Sequence, residues 1–289
     1  MSALGLLVSA AATQLLVTNA QSFSQQRGIT DVQDNGRFAM DFMNRDLRQA
    51  GLKPVGVFVS PYPPVVVDAA QMPGAGAALL TLNAIASPGL GNSDQLLVQR
   101  LTLVDTVDCE GNAVPANRYV VSRYFLRADP ATNAASALAC DGGFHDEAAL
   151  TGVGDAGVVL LGAVENMQVL LGIGNNGFPE QYLRPDQYAL LPAPRPKVVA
   201  VRVGTLVSSV DRTEQVGAAP DLNVLDELVD DMSGNEAGRA GDERVAIGHA
   251  NRIDLAGHVE DESMKKALAE LEAHSAQIKV LGSYPVAVP

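Results

Sequence analysis

Three carboxylates, Asp105, Asp108 and Glu110, lie along one short stretch of this 289-residue chain. Hard oxygen ligands spaced this way suit calcium, but the glycine and the terminal bidentate Glu of an EF-hand loop are absent. His145, Asp146 and Glu147 are metal-ligating by type. Residues adjacent on a polar loop rarely converge on one ion, so a solvated loop is the simpler reading. His249, His258 and His274 are scattered through an acidic tail without ligand spacing. The glycine-rich run Gly172-Ile173-Gly174-Asn175-Asn176-Gly177 is followed by no Gly-Lys-Ser/Thr and has no basic partner nearby, which favours a hairpin turn over a phosphate loop. No serine sits in a nucleophile elbow, and no cysteine–histidine pair stands in a suitable context. The expectation is a protein that is not an enzyme, with no catalytic residues, no metal and no cofactor.

Cys109 and Cys140 are too few for a structural zinc site, which takes four ligands. Both stand in turn-like contexts, Cys109-Glu-Gly-Asn and Cys140-Asp-Gly-Gly. They suit one disulfide if the domain is exported, and closing a loop of about 30 residues would stabilise it by roughly 3–4 kcal/mol. The alternative is two separate buried thiols.

The elements that would carry these residues change character along the chain. Residues Ala3 to Ala20 are apolar, softened by Ser9, Thr13, Gln14 and Thr18, and no charge precedes Arg27. That length approaches the ~20 residues that span a bilayer, so a marginal membrane helix is expected. Gly5, Ser9 and Thr13 leave one face small enough for another helix to approach. A secretory signal peptide would instead carry a basic leading region and stop near a cleavage point such as Ala20, whereas here the helical pattern continues. Ile29, Val32, Ala39, Phe42, Met43, Leu47 and Ala50 recur mostly at three- and four-residue steps, one stripe of an amphipathic helix. Arg48 complements the last turn, Asp41 and Arg45 pair at i,i+4, and Gly51 with Pro54 supplies the stop. Gly28 and Gly36 are its weak points.

From Pro54 to about Pro220, short apolar runs separated by Pro, Gly, Asn and Asp read as strands joined by turns. Candidate strands are 96–104, 118–127, parts of 158–171, and 198–208. In the last, Val199, Val201, Val203 and Thr205 alternate with Val198, Ala200, Arg202 and Gly204, so one face of a sheet can lie on the long helix. Between Asp226 and Gly241 the composition is that of a flexible linker. Glu262 to Ile278 reads as a further helix, followed by a turn at Gly282 and a terminal strand.

Composition narrows function. Hydrophobic residues make up 47% of the chain, enough for a real core, so wholesale disorder is excluded. Aromatics are only 4% with no tryptophan, a poor basis for stacking or sugar-binding platforms. Net charge is −13, and residues 221–289 hold 14 acids against 6 bases. With no basic cluster to meet phosphates, nucleic acid is not an expected partner.

Asn35-Gly36-Arg37-Phe38-Ala39-Met40-Asp41 and Arg45-Asp46-Leu47-Arg48-Gln49-Ala50-Gly51 resemble runs found at this place in the PilW family of type IV pilus minor pilins. Ser93-Asp94-Gln95-Leu96-Leu97-Val98 resembles that family's early strand. Val164-Glu165-Asn166-Met167-Gln168-Val169-Leu170-Leu171-Gly172 resembles its V-E-x-M-Q-V-x-Y-G element, and Lys197 to Ser208 its following strand. In order, these cover roughly residues 3 to 215.

The resemblance implies an α+β, pilin-like fold, a long N-terminal helix packed on an antiparallel sheet with a C-terminal helix–strand appendage. Expected domains are 1–52 (membrane and amphipathic helix), 53–221 (β-rich globular domain), 222–252 (acidic linker) and 253–289. The last resembles the end of a prephenate dehydratase ACT domain through Lys279-Val280-Leu281-Gly282-Ser283-Tyr284-Pro285. Type IV prepilins carry a leader ending in Gly, then Phe, with Glu at the fifth mature position. This sequence begins Met1-Ser2-Ala3-Leu4-Gly5-Leu6, as expected of a start assigned too late or of a trimmed chain.

The implied function is a minor-pilin-like structural role in type IV pilus assembly, in priming or at the tip, with links to adhesion and twitching motility. Partners would be other minor pilins, the assembly machinery and the inner membrane, with the soluble domain in the periplasm or on the fibre. Leu4, Leu7, Ala11, Leu15 and Leu16 are the expected helix-packing residues, and Arg37, Phe38, Asp41, Arg45 and Arg48 the helix-to-sheet junction. A type II secretion pseudopilin of the J type is one alternative. An aromatic-amino-acid-sensing ACT-type fragment fused to a pilin-like domain is another.

Overall fold

The computed structural model describes residues 2–50, 62–89, 91–129, 136–174, 178–208, 222–225, 227–229 and 244–249. The first element is a single helix, α1 (Ser2–Ala50), which runs without interruption through Gly28 and Gly36. At 1.5 Å per residue its 49 residues extend about 74 Å. Gly51 and Pro54, which end the helical pattern in the sequence, lie outside the described residues. Thr18 and Thr30 turn their hydroxyls back onto the carbonyls of Gln14 and Gln26, both at 2.9 Å, so these polar groups are satisfied within the helix.

The strands that follow are β1 (Leu82–Ala86), β2 (Asn92–Thr102), β3 (Thr106–Val107), β4 (Ala113–Val114), β5 (Arg118–Arg127), β6 (Ala137–His145), β7 (Leu150–Thr151), β8 (Val158–Gly162), β9 (Val164–Ile173) and β10 (Gln181–Leu183). A short helix α2 (Pro185–Ala189) leads to β11 (Val198–Ser208), β12 (Leu222–Val224), β13 (Glu227–Val229) and β14 (Arg244–His249). All pairings are antiparallel. One sheet has the order β1-β2-β5-β6-β7, with β8 also paired to β6, and a second has the order β10-β9-β11-β14. The fold is α+β. The expected strands at 118–127 and 198–208 are found with those bounds, and β9 and β10 pair across the expected turn.

Helix α1 lies against β2, β8, β11 and β14. Val32, Ala39, Met40 and Met43 are buried there, with Phe42, Leu47 and Ala50 packed at the margin. From Val32 onward the stripe read from the sequence is therefore the docking face, extended by Met40 and by buried Gly36, while the side chain of Ile29 lies outside the described residues. The expected junction residues take another position. Arg37, Phe38, Asp41, Arg45 and Arg48 are exposed, Phe38 at 62%. At about 100° per residue they fall on the side of α1 opposite Gly36, Ala39, Met43 and Leu47. A motif contiguous in sequence winds around a helix, and only part of it can face the sheets.

On β11, Val201, Val203 and Val207 enter the core, and the Thr205 hydroxyl contacts the Met40 sulfur at 3.8 Å. A Cβ added at Gly204, on the alternate face, would come within 3.0 Å of Val224 and Leu225. The β12–β13 hairpin thus lies where β11 has no side chain. Segment 222–252, expected as a linker, contributes β12, β13 and β14, and β14 pairs with β11 from Val203 to Ser208. The expected helix at 262–278 and the ACT-like tail lie outside the described residues.

Candidate functional site

Two of the motif segments meet in space. Buried Ser93 and Asp94 of β2 accept the Met167 and Val169 backbone N–H groups of β9 at 3.2 and 2.7 Å. Asp94 also takes the Ala84 N–H at 2.8 Å. Asn166 and Gln168 return side-chain amide hydrogen bonds to the Asn92 carbonyl, each 3.1 Å. Side chains of the first sheet therefore satisfy backbone donors of the second, and bonds to a carboxylate are the stronger kind.

The helix is fastened to this core by a further polar contact. Asp46, on the flank of the docking face, accepts the Tyr124 hydroxyl at 2.8 Å. Burial and the Asp46 charge together push the Tyr124 hydroxyl well above its ordinary pKa, so it remains a donor.

The N-terminal half of α1 has a different environment. Residues 11–20 are all exposed, Leu15 at 66% and Leu16 at 69%, and Phe23 beyond them at 68%. Ala11, Leu15 and Leu16 thus touch neither sheet, and the side chains of Leu4 and Leu7 lie outside the described residues. Among the described residues, no helix is long and apolar enough to cross a membrane. The membrane-crossing helix expected from residues 3–20 is not met there.

Cys109 and Cys140 form a disulfide, with Cα atoms 6.3 Å apart. It joins the turn between β3 and β4 to β6. In that turn Asp108 Oδ1 accepts the Glu110 and Asn112 N–H groups at 2.9 and 2.8 Å, while Asp105 Oδ1 accepts the Ala116 N–H at 2.9 Å. Asp105 and Asp108 are occupied as turn formers. Glu110 instead approaches Asp141, on β6, and Asp155, in the loop before β8. A signal for this existed: Glu110 and Asp141 each directly follow a bridged cysteine.

The His145-Asp146-Glu147 trio divides. Asp146 and Glu147 are exposed, as a solvated loop requires, but His145 is fully buried. As the last residue of β6 it turns inward, stacked on Tyr119 at 4.7 Å and edge-on to Tyr62 at 4.9 Å. Gln99 donates its amide to the Pro63 and Gln71 carbonyls at 2.7 and 3.0 Å, leaving its oxygen to face His145 Nε2 at 2.8 Å. That oxygen needs a donor, which assigns the proton to Nε2 and leaves Nδ1 to face the Glu147 N–H at 3.4 Å. Burial pushes the His145 pKa down to about 4. The Gln99 partnership carried no sequence signal, because it depends on strand register.

Residues 123–252 match the model of a family described as Type IV Pilus-assembly protein W. No curated protein and no solved structure matches the chain. The matched segment begins in β5 and runs through β14, past residue 215 where the resemblance read from the sequence ends. The matched family is described by pilus assembly, not by a reaction. The resemblance to the PilW family is thereby confirmed over residues 123–252 of this chain.

Proposed function

We propose that this protein is a minor-pilin-like structural subunit of type IV pilus assembly, acting in the priming or tip complex. The observation that carries the reading is the division of α1. Its second half is anchored on the sheets by Val32, Ala39, Met40 and Met43, and its first half presents Leu15, Leu16, Val17 and Phe23 to the surroundings. An apolar helix half whose large side chains stay exposed among the described residues suits packing among other helices. In this reading Leu4, Leu7, Ala11, Leu15 and Leu16 form that contact, at the inner membrane or in the fibre. The two sheets face neighbouring minor pilins, and the exposed Arg37, Phe38, Asp41, Arg45 and Arg48 edge lies available to them. The Cys109–Cys140 bridge supports a domain working in the oxidising space outside the inner membrane.

The test is complementation in cells lacking the protein. Leu15→Arg with Leu16→Arg should leave a folded, disulfide-bonded domain and abolish surface pili and co-purification with other minor pilins. Normal piliation with that double variant would reject the role assigned to the helix.

A further inference from the structure

Three chain segments bring one carboxylate each to a common point: Glu110 from the β3–β4 turn, Asp141 from β6 and Asp155 from the loop before β8. One oxygen from each lies within 4.8 Å of the other two. Such a cluster alone is commonplace on an acidic protein, but here Asp141 is fully buried and Glu110 half-buried. The Asp141 side chain is 0% exposed. Its Oδ2 accepts Arg123 Nε at 2.7 Å and the Gly154 N–H at 2.9 Å, while its Oδ1 is buried with no hydrogen-bond partner. Glu110 is half-buried: its Oε2 accepts the Asn112 side-chain amide at 3.1 Å, and the Gly142 N–H also faces its carboxylate. Buried carboxylate oxygens without donors are rare in folded proteins, because desolvation is then uncompensated.

We infer that Glu110, Asp141 and Asp155 form a binding site for a hard divalent cation of the calcium class. The charge supports this: three carboxylates against the single Arg123 guanidinium leave an excess of two negative charges. The ligand chemistry supports it as well. All available donors are oxygens, and both nearby cysteines are consumed in the disulfide, so a soft-metal site has no thiolate to use. Burial together with repulsion from Asp155 raises the pKa of both Glu110 and Asp141, a strain that a bound cation relieves. Asp155 is exposed and opens the site to solvent. The cation would pin the 108–112 turn and the Gly154–Gly157 loop to β6, beside the disulfide that already holds the first of them. With three protein carboxylates, affinity belongs in the range of extracellular calcium modules, about 10⁻⁴–10⁻³ M.

The test is calorimetric titration of calcium chloride into the full-length, chelator-treated protein, paired with thermal unfolding at about 5 mM calcium. Expected are one site per chain, a rise in Tm, and magnesium binding at least about tenfold weaker. Asp155→Asn keeps an acceptor for the Gly157 N–H and should fold normally, yet lose at least about tenfold in calcium affinity. Glu110→Gln should do the same by removing a ligand charge from a different segment. Absence of both heat and Tm shift would overturn the proposal. So would wild-type affinity in both variants, which would place any bound calcium elsewhere.

Discussion

The two halves of α1 both carry large apolar side chains, but no charge precedes Arg27 while the second half is amphipathic, and their fates are opposite. Residues 32–50 bury one stripe against two sheets, whereas residues 11–20 bury nothing within the described structure. Leu15 and Leu16 are as apolar as Met40 and Met43, so apolarity sets only the capacity to be buried. What separates the halves is whether a sheet lies alongside, and the sheets are built from residues 40 to 200 positions downstream. The anchored half serves the domain's own stability. The exposed half offers the same kind of surface to something outside it.

Substitutions can break this contrast. The largest effect belongs to the anchored half: Met43→Ala removes a fully buried side chain and should cost about 2–5 kcal/mol in urea unfolding. A loss below about 1 kcal/mol would mean that α1 is not docked as described. Of similar size is the acid sensitivity of the sheet core around His145. Its folded pKa of about 4 lies below the unfolded value of 6.5, so the unfolded chain binds the extra proton first. Stability should be intact above about pH 6.5 and fall by roughly 3 kcal/mol as pH drops to about 4. His145→Gln should flatten that part of the pH profile, and an unchanged profile would remove His145 as the cause.

Smaller effects sharpen the boundary between the halves. Tyr124→Phe removes the donor to Asp46 and should cost about 1.5–3 kcal/mol, as expected for a hydrogen bond to a charged group. If denaturation shows no change, the C-terminal turn of α1 is held by packing alone. At the small end, Leu15→Ala and Phe38→Ala should alter the unfolding free energy of the isolated protein by no more than about 0.5 kcal/mol. A larger loss for either would show that its exposed face is covered by the protein's own chain.

Legibility in the sequence followed the range of the interaction. The stripe Val32, Ala39, Phe42, Met43, Leu47 and Ala50 was readable because helical periodicity is local, and so were the bounds of β5 and β11. Arg37, Phe38, Asp41, Arg45 and Arg48 were misplaced for a related reason: a contiguous motif was taken as one surface, although it spirals around the helix. Segment 222–252 looked like a linker by composition, yet β14 pairs along β11. Strand pairing depends on an available edge, which composition does not register. The seam of Ser93 and Asp94 with Met167 and Val169 joins residues about 75 positions apart, and neither segment's pattern names the other.

By itself the sequence determined the long helix, its apolar stripe, the bounds of β5 and β11, the approximate places of β2, β8 and β9, the two cysteines available for a bridge, and the family resemblance. All of these arise from periodicity, turn chemistry and residue type within short windows. Only the tertiary structure decided which half of the helix is covered, that His145 is buried against Gln99 and Tyr119, and that Glu110 is brought to Asp141 and Asp155. Those outcomes depend on register, on strand order and on where a disulfide holds a turn, and each couples residues that no local pattern relates.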